Sequence, residues 1–377
     1  MPELSSPKLV SMPLRQSQGQ LADGREIIFF DWDEPGAAPR EIFDARPLGE
    51  ISTRSEMRWD PVLSEWVTVA AHRQSRTYLP KDDLCPLCPS VEGRLSEIPA
   101  KSFQVVVFEN RFPSYSIHAG VPDDGLVLDP YLHLRKPAVG RCEVVVFSDD
   151  HNATFSTLAP ERVRLVVETW AERTSALGDL EEVEQVFCFE NRGRDIGVTL
   201  SHPHGQIYAY PVVTSRTRTM LDSAASYRRS RDRDLFEDLL SFERSAQVRV
   251  VDSNDHWVAF VPAAARWPFE VHLYPLRRVV DLPATTADER EALAQIYSSL
   301  LRRLDNVWGI EMSYIAAWHQ APKSVGRDLL WLHLELFSIT RAPGKVKALA
   351  GSESGMGMFV NDVAPEAAAA MLRAAGA

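Results

Sequence analysis

Histidine, cysteine, long apolar runs and surplus positive charge are all in short supply in this chain. Ten histidines and four cysteines occur in 377 residues, so a site built from imidazoles or thiols must draw on a small set. No stretch reaches the roughly 20 consecutive apolar residues of a membrane-spanning helix. Met1 to Gln20 carry no apolar core followed by a small-residue cleavage site. The expected location is therefore the cytoplasm, with no membrane partner. Lys and Arg number 41 against 52 Asp and Glu, a net charge of -11. Nucleic-acid backbones are held by clustered cations, so a general nucleic-acid binder is excluded, and basic residues are left for a small-ligand site.

What is present is the balance of an ordinary globular protein, with 45% hydrophobic and 25% charged residues. Residues 1–50 mix Pro, Gly and acidic residues around one apolar run, Ile27-Ile28-Phe29-Phe30, and read as a loosely tied N-terminal arm with one strand. From Arg58 onward, Trp66 to Val69, Phe103 to Phe108 and Glu143 to Phe147 have the β-branched and aromatic content of strands. Helical spacing occurs twice. Pro160 to Leu177 sets Val163, Leu165, Val166, Trp170 and Leu177 broadly on one face, and Thr286 to Asn306 does the same with Leu293, Ile296, Tyr297, Leu300 and Leu304.

The settings of these two helices match. In the first half, a strand ending Phe147-Ser148-Asp149-Asp150-His151 is followed by the helix, a strand Val186 to Phe189, a loop, and His202-Pro203-His204-Gly205-Gln206-Ile207-Tyr208. In the second, Phe269 to Pro275 is followed by the helix, a strand Tyr314 to His319, a Gly-containing loop, and Trp331-Leu332-His333-Leu334-Glu335-Leu336-Phe337. The tetrapeptide Phe-Glu-Asn-Arg also occurs twice, at 108–111 and 189–192. The implied unit is α+β, with an antiparallel sheet and packed helices.

Two of the scarce histidines, His202 and His204, lie one residue apart. In an extended strand such positions share a face, so both imidazoles are expected to address one site. Gly205 lets backbone approach a ligand closely, and Gln206 can donate to an anionic oxygen. A polar strand edge is the plain alternative for a lone pair of histidines. The preceding loop, Phe189 to Ser201, adds glycines, arginines and hydroxyls of the kind that turn donors toward phosphate.

The run Gly197-Val198-Thr199-Leu200-Ser201-His202-Pro203-His204-Gly205-Gln206, with the upstream Phe189-Glu190-Asn191 and the distant Cys85-Pro86-Leu87-Cys88, resembles the galactose-1-phosphate uridylyltransferases of the histidine-triad superfamily. The resemblance covers about Arg58 to Asn361. It implies two histidine-triad-like halves, here bounded as 51–213 and 214–377 after the arm of 1–50. By the resemblance His204 is the nucleophile and forms a nucleotidyl-histidine. Gln206, Asn191 and Thr199 hold phosphoryl oxygens, with Thr199 standing where the family usually has Ser. Arg73 and Arg76 reach phosphates; solvated surface charge is the alternative for both. Asn110, Phe112 and Val144 contact the nucleoside, while Lys347 and Glu353 contact sugar or phosphate. Arg111 departs from an acidic residue of some members.

Cys142 and Cys188 lie in apolar runs and read as small core residues. Cys85 and Cys88 form a Cys-x-x-Cys pair, metal-binding or redox-active by its own pattern. The resemblance completes a structural zinc site with His151 and His202, which would hold the neighbouring His204 in register. Some members carry a second metal, iron or zinc, on one Glu and three His. His319 and His333 match two of those histidines, Glu335 occupies the third, and Met220 falls near the expected glutamate, so a reduced or altered site is expected. A satisfied polar pair is the alternative.

The function implied is exchange of UMP between UDP-glucose and galactose 1-phosphate in galactose metabolism, by ping-pong kinetics through a uridylyl-histidine. The partners are a nucleotide sugar and a hexose 1-phosphate, and the expected assembly is a homodimer. An adenylyltransferase or phosphorylase acting on ADP-glucose or a dinucleoside polyphosphate keeps the same chemistry and stays open, as do a nucleotide hydrolase and a non-catalytic nucleotide-sugar sensor.

Overall fold

The β-branched and aromatic runs assemble into one large sheet. The computed structural model describes residues 13–33, 38–49, 51–75, 81, 84–120, 129 and 131–376. The strands are β1 (Leu14–Gln20), β2 (Glu26–Trp32), β3 (Glu56–Asp60), β4 (Glu65–Val69), β5 (Val105–Glu109), β6 (Arg135–Pro137), β7 (Arg141–Val146), β8 (Gln185–Arg192), β9 (His204–Tyr210), β10 (Val250–Ser253), β11 (Trp257–Phe260), β12 (Phe269–Pro275), β13 (Tyr314–His319), β14 (His333–Ser338), β15 (Thr340–Ala342) and β16 (Lys345–Val346). The helices are α1 (Pro160–Gly178), α2 (Ser215–Arg231), α3 (Leu235–Ala246), α4 (Ala287–Asn306), α5 (Gly351–Met356) and α6 (Pro365–Ala374). An 11-stranded sheet runs β1-β2-β5-β7-β9-β8-β13-β14-β12-β11-β10, with β4-β3-β6 and β15-β16 as small separate sheets. Neighbours in the large sheet are antiparallel throughout.

One face of this sheet is covered by α1 and α4. Phe30, Val107, Val145, Phe147, Cys188 and Ile207 pack there against Trp170 of α1 and Tyr297 of α4 in a single core. The helices start where local chemistry allows. Pro160 opens α1 at a position whose amide has no intrahelical partner. Thr286 and Glu289 cap the start of α4 reciprocally, Thr286 Oγ1 accepting from Glu289 N and Glu289 Oε2 from Thr286 N. Both helices and the strands around them lie where the sequence pattern puts them, and the α+β architecture follows.

Two readings change. The N-terminal segment, where composition predicts a loosely tied arm with one strand, supplies two, β1 and β2, and Ile27, Ile28, Phe29 and Phe30 are fully buried in the sheet. Both faces of β2 are covered, so its apolar residues run continuously instead of alternating. The helical hairpin α2–α3 was not legible, because α2 turns only a thin stripe inward, Met220, Leu221 and Ala224, and is otherwise polar.

Candidate active site and metal groups

The sheet face away from α1 and α4 gathers the residues that carry chemistry. Along β9 the buried Gly205, Ile207 and Ala209 alternate with the more accessible His204, Gln206, Tyr208 and Tyr210, so the second set lies on the face away from the helices. Strand pairing extends this set sideways: Val144 opposes Gln206, Gln206 opposes Phe189, Phe189 opposes Ala317, Ala317 opposes Glu335, and Glu335 opposes His272. Gln206 and Glu335 thus stand at equivalent places on either side of the β8–β13 junction, three strand spacings or roughly 14 Å apart.

His204 Nδ1 donates to the carbonyl of His202 at 2.7 Å. A carbonyl only accepts, so the hydrogen sits on Nδ1 and Nε2 keeps its lone pair. Burial pushes the pKa of His204 down, against that hydrogen bond, and the ring is neutral near pH 7. A Cβ on Gly205 would lie 2.8 Å from Phe147 Cζ and 2.9 Å from the carbonyl oxygen of Phe189. Only glycine lets β9 lie this close behind the imidazole. Asn191, one step beyond the Glu190–Gly205 pair, falls beside His204. A neutral imidazole beside amide side chains is suited to attack on phosphorus and to holding the oxygens that gain charge.

His202 does not share this site, contrary to the i, i+2 expectation. It precedes β9, is 1% exposed, and its Nε2 donates to the Ser148 carbonyl at 2.8 Å. That leaves Nδ1 as the lone-pair nitrogen, 3.5 Å from Cys88 Sγ. His151 Nδ1 is 3.4 Å from the same sulfur. The ligand atoms of Cys85, Cys88, His151 and His202 all lie within 4.8 Å of one another. Two thiols and two imidazoles, one imidazole fixed through its far nitrogen by a carbonyl, fit a closed tetrahedral metal group. Burial, then the adjacent Cys88, push the Cys85 thiol up to about 12, and burial pushes His202 down to about 4.

A second group forms from His319, His333 and Glu335. It repeats the first half's device: His333 Nδ1 donates to the Trp331 carbonyl at 2.8 Å, as His204 does to His202. His319 Nε2 is buried without a hydrogen-bond partner among the described residues, 3.4 Å from Glu335 Oε2. Arg216 of α2 donates to that same oxygen at 2.5 Å. His272 Nε2 lies 3.9 Å from Glu335 Oε1 and bonds Glu270 at 3.0 Å. Burial works to raise the Glu335 carboxyl, and the imidazoles of His319, His333 and His272 overcome it and hold it well below the usual carboxylate range. Met220, near the expected glutamate, packs in the apolar cluster under α2 and α3, so the carboxylate comes from β14 instead.

The family model described as galactose-1-phosphate uridyl transferase, N-terminal domain, matches residues 48–214, and its C-terminal counterpart matches 220–374. A galactose-1-phosphate uridylyltransferase of Streptomyces lividans is 43% identical over 377 residues, covering 96% of this chain and 98% of the relative. The chain belongs to the galactose-1-phosphate uridylyltransferase family. Another member, from Thermotoga maritima, is 34% identical over 84% of this chain and 98% of its own length. A solved structure of a uridylyltransferase superposes with a TM-score of 0.76 at 33% identity, over 85% of this chain and 98% of that one. An ADP-glucose phosphorylase from Arabidopsis thaliana shares the fold, with a TM-score of 0.64 at 22% identity over 85% of this chain and 98% of that one.

Against this family membership, the remaining expected residues fall in three places. Arg73, in the short turn Ala71–Ser75, donates to the Phe112 carbonyl at 2.7 Å, and Asn110 Oδ1 accepts from Phe112 N at 2.8 Å. These contacts and the amide of Asn110 on the Cys142 carbonyl, 2.8 Å, build a corner at the end of β5, and Cys142 opposes Tyr208. Val144 faces Gln206 from β7, and Thr199 lies half-buried in the loop before β9. Arg111 lies 3.6 Å from Glu97. Arg76 lies outside the described residues. Lys347 and Glu353 bond to each other at 2.7 Å beyond β14, and among the described residues no hydrogen bond joins them to β9 of the same chain. The sequence reading missed the aromatic wall of Tyr115, Phe187, Phe189, Tyr208 and Tyr210, which the alternation along His204-Gly205-Gln206-Ile207-Tyr208-Ala209-Tyr210 signals. It also missed His272 and Arg216, which only strand pairing and helix docking bring to Glu335.

Proposed function

We propose that this chain exchanges UMP between UDP-glucose and galactose 1-phosphate through a uridylyl-histidine on His204. The observation that carries the reading is the Nδ1 bond of His204 to the His202 carbonyl at 2.7 Å, which leaves a neutral imidazole with its Nε2 lone pair beside Gln206. In the first half-reaction Nε2 attacks the α-phosphorus of UDP-glucose. The bond from that phosphorus to the bridging oxygen breaks, and glucose 1-phosphate leaves with the electron pair. The ring carries the positive charge, shared through Nδ1–H with the carbonyl. A phosphate oxygen of galactose 1-phosphate then attacks, the P–N bond breaks, and the imidazole returns neutral.

Gln206 holds the phosphoryl oxygens through its amide, with Asn191 and Thr199 beside it. Arg73 and Arg76 serve the phosphates, and Asn110, Phe112 and Val144 bound the nucleoside. Lys347 and Glu353 reach the sugar phosphate of the other subunit in a homodimer, which accords with their separation from β9 within one chain. The chain divides into a segment of 1–50 and histidine-triad-like halves of 51–213 and 214–377, acting in the cytoplasm. Cys85, Cys88, His151 and His202 hold a structural zinc, whose chemistry is to fix the backbone two residues before the nucleophile. His319, His333 and Glu335 offer the donors for a second ion, iron or zinc, with Arg216 on Glu335 Oε2, the oxygen that faces His319.

Intact mass after separate incubations with UDP-glucose alone and ADP-glucose alone tests the reading, with His204→Ala as control. A uridylyl adduct formed only by the unmodified chain is expected. An adenylyl adduct instead would replace this substrate with ADP-glucose, and the absence of both adducts from metal-loaded protein would overturn the role of His204.

A further inference from the structure

The hairpin of β1 and β2 lies ahead of the stretch 48–214 that the N-terminal family model matches, yet its turn holds a fully buried guanidinium. The Arg25 side chain is 0% exposed. Its Nε bonds Asp23 at 2.9 Å, its Nη2 bonds Glu97 Oε2 at 2.5 Å, and its Nη1 donates to the backbone carbonyl of Glu109 at 2.9 Å. Each nitrogen has a separate acceptor, the arrangement a planar guanidinium fixes best.

The acceptors belong to different machinery. Glu97 follows the Cys85–Cys88 turn, and its amide donates to the carbonyl of Pro86, between the two cysteines, at 3.0 Å. Next to it, Ser96 Oγ donates to the Cys88 carbonyl at 2.5 Å. The other oxygen of Glu97 takes Arg46 at 2.8 Å and faces Arg111 at 3.6 Å. Glu109 immediately precedes Asn110, the corner assigned above to the nucleoside. Three cations, Arg25, Arg46 and Arg111, are matched by three carboxylates, Asp23, Asp44 and Glu97, so the cluster is electrically closed. Among the described residues, only Arg25 spans from the segment after the metal-group turn to the Glu109 carbonyl.

We infer that Arg25 is a positioning residue for nucleoside recognition, clamping the Asn110 corner to the segment that follows the Cys85–Cys88 turn. Loss of the clamp frees the Glu109 carbonyl and leaves the buried Asp23 without its cation, while Glu97 keeps only Arg46 and Arg111, so the corner moves while His204, on β9, keeps its own bond to the His202 carbonyl. The signature is weaker substrate binding with the chemical step preserved. This inference rests on the proposed uridylyl transfer.

The test measures kcat and KM for UDP-glucose on metal-loaded protein for Arg25→Met, Arg25→Lys and Glu97→Gln, with metal content and melting temperature alongside. Arg25→Met should raise KM about tenfold or more while kcat stays within about twofold. Arg25→Lys should recover part of the loss, because an ammonium reaches fewer of the acceptors. Glu97→Gln keeps the shape of the contact, so it carries the test should the Arg25 variants fail to fold. Unchanged KM in folded Arg25→Lys and Glu97→Gln, with only the melting temperature lowered, would reduce the clamp to a structural contact and overturn the inference. Failure of the unmodified protein to form a uridylyl adduct would instead strike the functional reading, which separates the two.

Discussion

Glu190 is a carboxyl buried where the two halves meet, and its titration should be visible in the stability of the whole chain. It sits on the helix side of β8, behind Gly205. Its Oε1 accepts from Tyr314 OH at 2.9 Å and its Oε2 from Tyr297 OH at 3.3 Å, both from the second half. Burial raises its pKa from 4.5 to about 7, against the opposing effects of the Tyr314 hydroxyl, Arg192 and the Tyr297 hydroxyl, while Asp305 adds to the rise. The raised value means that the folded chain prefers the neutral acid. Below about 4.5 the acid is neutral folded or unfolded and its contribution is fully present; as pH rises through about 7 it is lost, because the unfolded chain ionises first. The whole span is worth about 3 kcal/mol, most of it falling between pH 5 and pH 8. Glu190→Gln keeps the size of the side chain and removes the titration. Urea unfolding of both proteins at pH 5 and pH 8 isolates the effect, since other groups cancel in the difference between variant and parent. Relative to the parent, the variant should gain about 2 to 3 kcal/mol on going from pH 5 to pH 8. A difference that does not change with pH would refute the assignment of a neutral acid at this junction.

Gly205→Ala places a methyl within 2.9 Å of the Phe189 carbonyl and 2.8 Å of Phe147. It should cost about 1 to 3 kcal/mol in urea unfolding and, by displacing His204, slow adduct formation about 100-fold; a parental adduct rate would show that the close approach is unnecessary. Cys88→Ser breaks the metal group, whose member His202 lies against Cys88 and is the residue whose carbonyl holds His204. Elemental analysis should find metal in the parent and little in the variant, with adduct formation about 10- to 100-fold slower. Equal metal content in both would remove Cys88 from the ligand set.

Much of this molecule is legible in its sequence. The apolar spacing of α1 and α4 is strong because both helices lie on the core, and a side chain's burial is then written into its period. The repeat around His204 and His333 was visible for a related reason: each half closes the same strand–helix–strand unit. The hairpin α2–α3 left a weak trace because few of its side chains are covered, and β1–β2 were understated because a strand buried on both faces loses its alternation. The likeness of His204-Gly205-Gln206 to a known motif singled out His204 as the proposed nucleophile, but which of its nitrogens carries the hydrogen depends on the His202 carbonyl, a backbone group that no residue name encodes.

The order of residues along the chain determined which side chains were available: a scarce pair of histidines, a Cys-x-x-Cys turn, and two copies of one folding unit. Tertiary structure decided their partners. His202 and His204 are neighbours in sequence yet turn to different tasks, because the chain enters β9 between them. Cys88 meets His151 and His202 because the pairing of β5, β7 and β9 brings the segments beside them together, and Glu335 meets His272 through strand pairing and Arg216 through a docked helix. Local sequence sets conformational preference over a few residues, whereas metal ligation and proton placement depend on atoms held a few ångströms apart by contacts across the fold.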